Sequence, residues 1–140
     1  MSQLIEFAGN HPWLLGGFLL VTALIIKTQL ESRLSGIAQV GPADAVRMMD
    51  DDVLVLDVRE SQEYGSGHLK NALHIPMAQL NGRMSELEKY RNRKILAYCR
   101  SGSRSNYACK RLKKAGFDNV FNLAGGIMAW ANANLPTTRK

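Results

Sequence analysis

Ile95-Leu96-Ala97-Tyr98-Cys99-Arg100-Ser101-Gly102-Ser103-Arg104-Ser105 is the stretch whose reading decides the fold. Its first four residues form an apolar run, which fits a strand buried on both faces, as in a parallel sheet. Ser103–Ala115 then has helical spacing and stops at Gly116. Cys99 therefore stands at the carboxyl end of a strand, where open α/β sheets bind ligands. The helix that follows aims its free N–H groups and its dipole at the same point, and both favour an anion. Gly102 permits tight curvature, and the small Ser101 and Ser103 keep the cradle open. Arg100 and Arg104 add positive charge. All of these features lower a cysteine pKa, and the thiolate is the nucleophile. An isolated cysteine at a strand end reads as a packed residue. Followed by Arg-Ser-Gly-Ser-Arg-Ser, Cys99 reads as a nucleophile facing an anion held by residues 100 to 105.

The chain on either side extends the same pattern. Gly41-Pro42 opens a helix predicted to run to about Met49. Val53-Leu54-Val55-Leu56 is a second buried strand, ending in Asp57-Val58-Arg59. Ser61–Tyr64 reads as a short helical turn and Ala72–Ile75 as a strand closed by Pro76. Met84–Tyr90 is expected to be helical, Asn119–Asn122 a strand, and Gly125-Gly126 the start of a last helix containing Ile127 and Trp130. Strands alternating with helices predict an α/β domain with a mainly parallel sheet of about five strands flanked by helices.

Four motifs stand in order along this domain: Asp57-Val58-Arg59-Glu60, Gly67–Pro76, Tyr98–Ser105 and Leu123–Trp130. Together they resemble the single-domain rhodanese family, over roughly Ile37 to Pro136. The resemblance implies a persulfide on Cys99, formed when its thiolate takes a sulfane sulfur from a small anionic donor such as thiosulfate. An acceptor thiol, protein or other thiophile would remove that sulfur in a second half-reaction, giving ping-pong kinetics with no metal or organic cofactor. The resemblance further implies that the loop amides from Arg100 to Ser105 cradle the outer sulfur or the substrate oxyanion. Related phosphatases use Cys-x5-Arg. Cys99 to Arg104 is Cys-x4-Arg, a tighter loop that suits sulfur better than phosphate.

The resemblance does not reach residues 1–36. There the 20 residues from Phe7 to Ile26 carry no Asp, Glu, Lys or Arg, about the length that crosses a bilayer. Asn10 is expected to cap a helix with Pro12 in its first turn, running to Leu30. A single-pass anchor over residues 1–30 is thus expected, with residues 31–36 as linker, 37–136 as the domain and 137–140 as a tail. The rival readings are a signal peptide, disfavoured because Glu6 is the only charge in its n-region, and a core or interfacial helix. Lys27 and Arg33 follow the span, so the positive-inside rule puts the domain on the cytoplasmic side of a membrane, the inner one in a bacterium. Having only two cysteines agrees with a reducing compartment.

Composition narrows the classes further. Hydrophobic residues make up 46% and charged residues 21%, as in a globular chain. The net charge is +6; Glu6, Lys27, Glu31 and Arg33 cancel, so the excess lies beyond residue 33. Without a nucleic-acid motif or interleaved aromatics, that charge points to small anions or anionic lipid rather than nucleic acid. Asp57, Arg59 and His68 are candidate supporting residues. Asp57 and Arg59 are expected mainly in ion pairs, Arg59 with Glu60 or Glu63, and His68 is expected to organise a turn. Lys110, Arg111, Lys113 and Lys114 read as a solvated face, and Cys109 as a packed residue with a resolving thiol as its functional alternative. A different class remains open: a tethered, non-catalytic interaction module on the same scaffold.

Overall fold

The computed structural model describes residues 1–34 and 36–140; Ser35 lies outside the described residues, as do the side chains of six others, Arg33 among them. Two compact units result, Met1–Gly36 and Ile37–Lys140.

The first unit holds α1 (Ser2–Asn10) and α2 (Pro12–Leu34). Asn10 is not the cap expected of it. It ends α1, and the carbonyl of His11 accepts the first bonds of α2, from the amides of Leu14 and Leu15. Pro12 then stands in the first turn, where it lacks only an N–H that would go unpaired. The 23 residues of α2 span ~34 Å at the α-helical rise. Its side chains are apolar nearly all round, and Trp13, Phe18, Leu20 and Ile26 are exposed. A helix without a polar face cannot rest on a soluble core by one stripe. By length and composition, Pro12–Glu31 is long and apolar enough to cross a membrane.

The second unit is an α/β sandwich. Its strands are β1 (Ala38–Val40), β2 (Val53–Asp57), β3 (Leu73–His74), β4 (Lys94–Tyr98) and β5 (Val120–Leu123). They lie in the order β1-β5-β4-β2-β3, and every pairing is parallel. The helices are α3 (Pro42–Asp50), α4 (Ser61–Ser66), α5 (Ser103–Lys114) and α6 (Gly126–Asn132). β1 went unread because Ala38-Gln39-Val40 has only Val40 buried and offers no apolar run. Met84–Tyr90 is 3-10 rather than α-helical. Its core-facing residues Met84, Leu87 and Tyr90 recur every third position, the period of a 3-10 turn.

Side chains alternate across the sheet, and the alternation decides what faces the site. Leu54, Leu56 and Val58 point to one face with Ile95, Ala97 and Cys99, against Ala108, Cys109 and Leu112 of α5. Val55, Leu96, Tyr98 and Leu123 point to the other, against Ala45 of α3 and Trp130 of α6. Residues 137–140 do not hang free as a tail. Thr138 pairs with His68 through two backbone bonds of 2.8 Å.

Candidate active site

The site is built by the end of β4 and the start of α5. Cys99 follows β4 directly and is fully buried. Gly102 takes a left-handed conformation, φ +100°, at the N-cap of α5, which turns its amide back onto the sulfur at 3.1 Å. The Ser105 hydroxyl lies 3.4 Å from the same sulfur. Burial pushes the Cys99 thiol up in pKa. The Ser105 hydroxyl and the amides of Ser105, Gly102 and Ser101 outweigh it, and the net direction is below the ordinary thiol value. This is the local chemistry of a thiolate at a helix N-terminus.

The loop is braced from α6. Ile127 N donates to Cys99 O at 2.9 Å and Met128 N to Arg100 O at 3.1 Å. Such close approach needs Gly126, whose φ is +58° and whose hypothetical Cβ would lie 2.5 Å from both carbonyl oxygens. Ser101 and Ser103 stand exposed at the rim of the loop. Arg59, Glu63, Gly67, Arg100, Ile127 and Met128 line a groove beside it, so Arg100 supplies positive charge at the edge of the cradle.

Residues 41–133 match the rhodanese-like domain. The chain belongs to the rhodanese-like family. A sulfurtransferase of Allochromatium vinosum is 45% identical over 86 residues, covering 61% of this chain and 78% of that one. The uncharacterized protein YibN of Escherichia coli is 27% identical over 141 residues, 99% of each chain. The crystal structure of a rhodanese-related protein from Thermoplasma volcanium superposes with a TM-score of 0.68 at 30% identity, covering 74% of this chain and 99% of that one. A sulfurtransferase name among the relatives supports that class of activity for this rhodanese-like domain.

Around the rhodanese cradle, several side chains fall in places the sequence did not reveal. Arg104 does not stand as a lone cation beside the thiol. Its Nη1 and Nη2 each donate to Glu63 of α4 at 2.9 Å. Glu63 also closes the capping box of α4 by accepting the Glu60 amide. Arg59 pairs with neither Glu60 nor Glu63, as expected from proximity, but with Asp57, its Nη2 at 2.6 Å from Oδ2. Asp57 and Tyr98 are opposite each other in the β2–β4 register, and Tyr98 Oη donates to the carboxylate at 2.5 Å. Burial and that carboxylate push the Tyr98 phenol far above its ordinary pKa. Asp57 therefore braces the strands, while Arg59 lines the groove that Arg100 also lines.

His68 organises a turn. Its ring lies 3.8 Å from the Tyr64 ring, stacked, and its nitrogens meet the main-chain oxygens of Tyr64 and Lys140 at 3.0 and 2.9 Å. None of those bonds reaches Cys99. Cys109 of α5 is buried in the core against the sheet, and burial pushes its thiol up to about 12. Asn122, missed in the sequence, bonds Ser105 and the loop carbonyl of Gly102. A polar residue amid the apolar Val120–Leu123 run was its only signal.

The Glu63–Arg104 pair gives a pH prediction. The Arg104 hydrogen bonds hold the Glu63 carboxyl at about 2, below its ordinary 4.5. A depressed folded value contributes stability that is complete above the ordinary value and is lost as pH falls toward the folded one. The urea midpoint should therefore drop from about pH 4.5 to about pH 2. Glu63→Gln should flatten that part of the profile. Both side chains are partly exposed, so the difference should be small.

Proposed function

We propose that this rhodanese-like protein is a sulfurtransferase held at a membrane by α2, moving sulfane sulfur through a persulfide on Cys99. The observation that carries the reading is the Cys99 cradle: a buried sulfur met by the Gly102 amide and the Ser105 hydroxyl at the start of α5. In the first half-reaction the Cys99 thiolate attacks the outer sulfur of a thiosulfate-type donor. The donor S–S bond breaks, and its electron pair leaves with sulfite. Arg100, which lines the groove beside the loop, would meet the oxyanion. In the second half-reaction an acceptor thiolate, or cyanide in an assay, attacks the outer sulfur of the persulfide. The Cys99 S–S bond breaks and the thiolate is regenerated, so the kinetics are ping-pong. The exposed apolar surface of α2 supports the anchor, and Lys27, near the C-terminal end of the Pro12–Glu31 stretch, supports a cytoplasmic position for the domain.

Full-length protein in detergent, incubated with thiosulfate, is expected to gain one sulfur atom on the Cys99 peptide by mass spectrometry. Adding cyanide should remove it as thiocyanate, with parallel double-reciprocal plots. Cys99→Ser should form neither product. A wild-type protein that gains no sulfur and makes no thiocyanate would leave the scaffold reading in place of the enzyme. The anchor is tested by alkaline extraction of membranes: α2 should hold the full chain in the pellet, and release into the supernatant would refute it.

A further inference from the structure

Ser105 has a single hydroxyl proton and two neighbours that can accept it. Its Oγ lies 2.5 Å from Asn122 Oδ1 and 3.4 Å from Cys99 Sγ. The Asn122 amide is fixed from its far side, because Nδ2 donates to Gln39 Oε1 at 2.9 Å and to Gly102 O at 3.0 Å. Both N–H bonds of that amide are then used, and its oxygen is left facing Ser105. Gln39 is oriented consistently, with Nε2 donating to Asn106 Oδ1 at 3.1 Å. An amide oxygen only accepts, so the short contact requires Ser105 to donate to Asn122. The single hydroxyl proton is therefore contested: given to Asn122 at 2.5 Å, it is withheld from the sulfur that it would otherwise stabilise at 3.4 Å.

We propose that Asn122 is a positioning residue that sets the ionisation of Cys99 by holding the Ser105 hydroxyl proton off the sulfur. In the thiol form the sulfur carries no charge to draw the Ser105 hydroxyl proton from Asn122. When Cys99 ionises, the thiolate recovers the hydroxyl proton only by breaking the Ser105–Asn122 bond. The loop amides remain uncontested donors, so Cys99 is acidic, but less so than the cradle without Asn122 would make it. The inference rests on Cys99 being the nucleophile of the proposed reaction.

The other groups around Cys99 are held elsewhere. From α5, Arg104 is paired with Glu63 of α4, and Cys109 stays protonated. From β2, Asp57 is paired with Arg59 and bonded to Tyr98 of β4. Beside β2, His74 of β3 bonds the Arg59 carbonyl. Arg100 lies in the loop itself, and β5 and α6 contain no titratable side chain. Asn122 is thus a neutral lever beside a thiol whose other charged neighbours, Arg100 apart, are paired.

The test is the ultraviolet thiolate titration of the full chain in detergent, which needs no sulfur donor and so can fail separately from the sulfurtransferase reading. Cys109 is silent below its pKa of about 12. Asn122→Leu, of similar branched shape and unable to accept, should lower the Cys99 midpoint by about one pH unit, the worth of one hydrogen bond to a charged group. If the larger apolar side chain is not accommodated, Asn122→Ala is read in the same way. In a Ser105→Ala background the same Asn122 substitution should produce no fall, because there is no hydroxyl to release. A midpoint that stays or rises in the single variant overturns the proposal. So does an equal shift with and without Ser105, the mark of a merely structural effect on the loop.

Discussion

Gly126→Ala is expected to destabilise the rhodanese-like domain by about 3 kcal/mol or more and to remove at least about 99% of sulfur transfer from whatever remains folded. Two effects add. A side chain at φ +58° is strained, and the new Cβ would lie 2.5 Å from the carbonyl oxygens of Cys99 and Arg100 and 2.6 Å from the Arg100 carbonyl carbon. Those atoms are backbone and cannot rotate away. Either α6 withdraws, losing the bonds from Ile127 and Met128 to the loop, or the loop moves and carries Cys99 with it. A displacement near 1 Å at a reacting atom costs on the order of a hundredfold in rate. Urea denaturation and thiocyanate formation measure the two parts. Gly65→Ala in α4 is the control, since a Cβ there meets nothing within 4 Å. It should leave stability unchanged or slightly raised.

Asp57→Ala is expected to cost about 3–5 kcal/mol, because it strands a buried cation. Arg59 is only 4% exposed. Asp57 accepts its backbone amide at 2.9 Å, its Nε at 3.0 Å and its Nη2 at 2.6 Å. Among the described residues, the guanidinium keeps only its bond from Nη2 to Gly67 O at 2.8 Å. Tyr98 Oη loses its acceptor at the same time, while still holding the Leu69 amide at 3.1 Å. Replacing both charges should hurt less than replacing one. Asp57→Ala with Arg59→Met removes the orphaned guanidinium and is expected to recover part of the loss in a chemical denaturation series. A double variant as unstable as the single one would mean that the Tyr98 hydroxyl, not the cation, dominates the cost.

Some of this was local and therefore legible in the chain. Cys99, the curved loop and the start of the helix that follows are contiguous from Cys99 to Ser105, so residue order alone places amides beside the sulfur. Val53–Leu56 and Ile95–Tyr98 are apolar without a break, which only strands covered on both faces require. The apolar character of α2 also follows from composition.

The tertiary structure decided the rest, because it depends on which distant residues meet. Parallel pairing sets Asp57 opposite Tyr98 and Asn122 opposite Ala97, and no spacing in the chain encodes either register. Glu63 and Arg104 are 41 positions apart and meet only when α4 packs beside α5. Gly126 reads as a turn residue until α6 is seen closing on the Cys99 carbonyl. The proposal of Cys99 as the nucleophile thus rests on its own neighbours in sequence. How readily it ionises rests on Asn122, a residue that only the fold brings to Ser105, because a hydrogen bond requires contact and contact across a sheet is set by register.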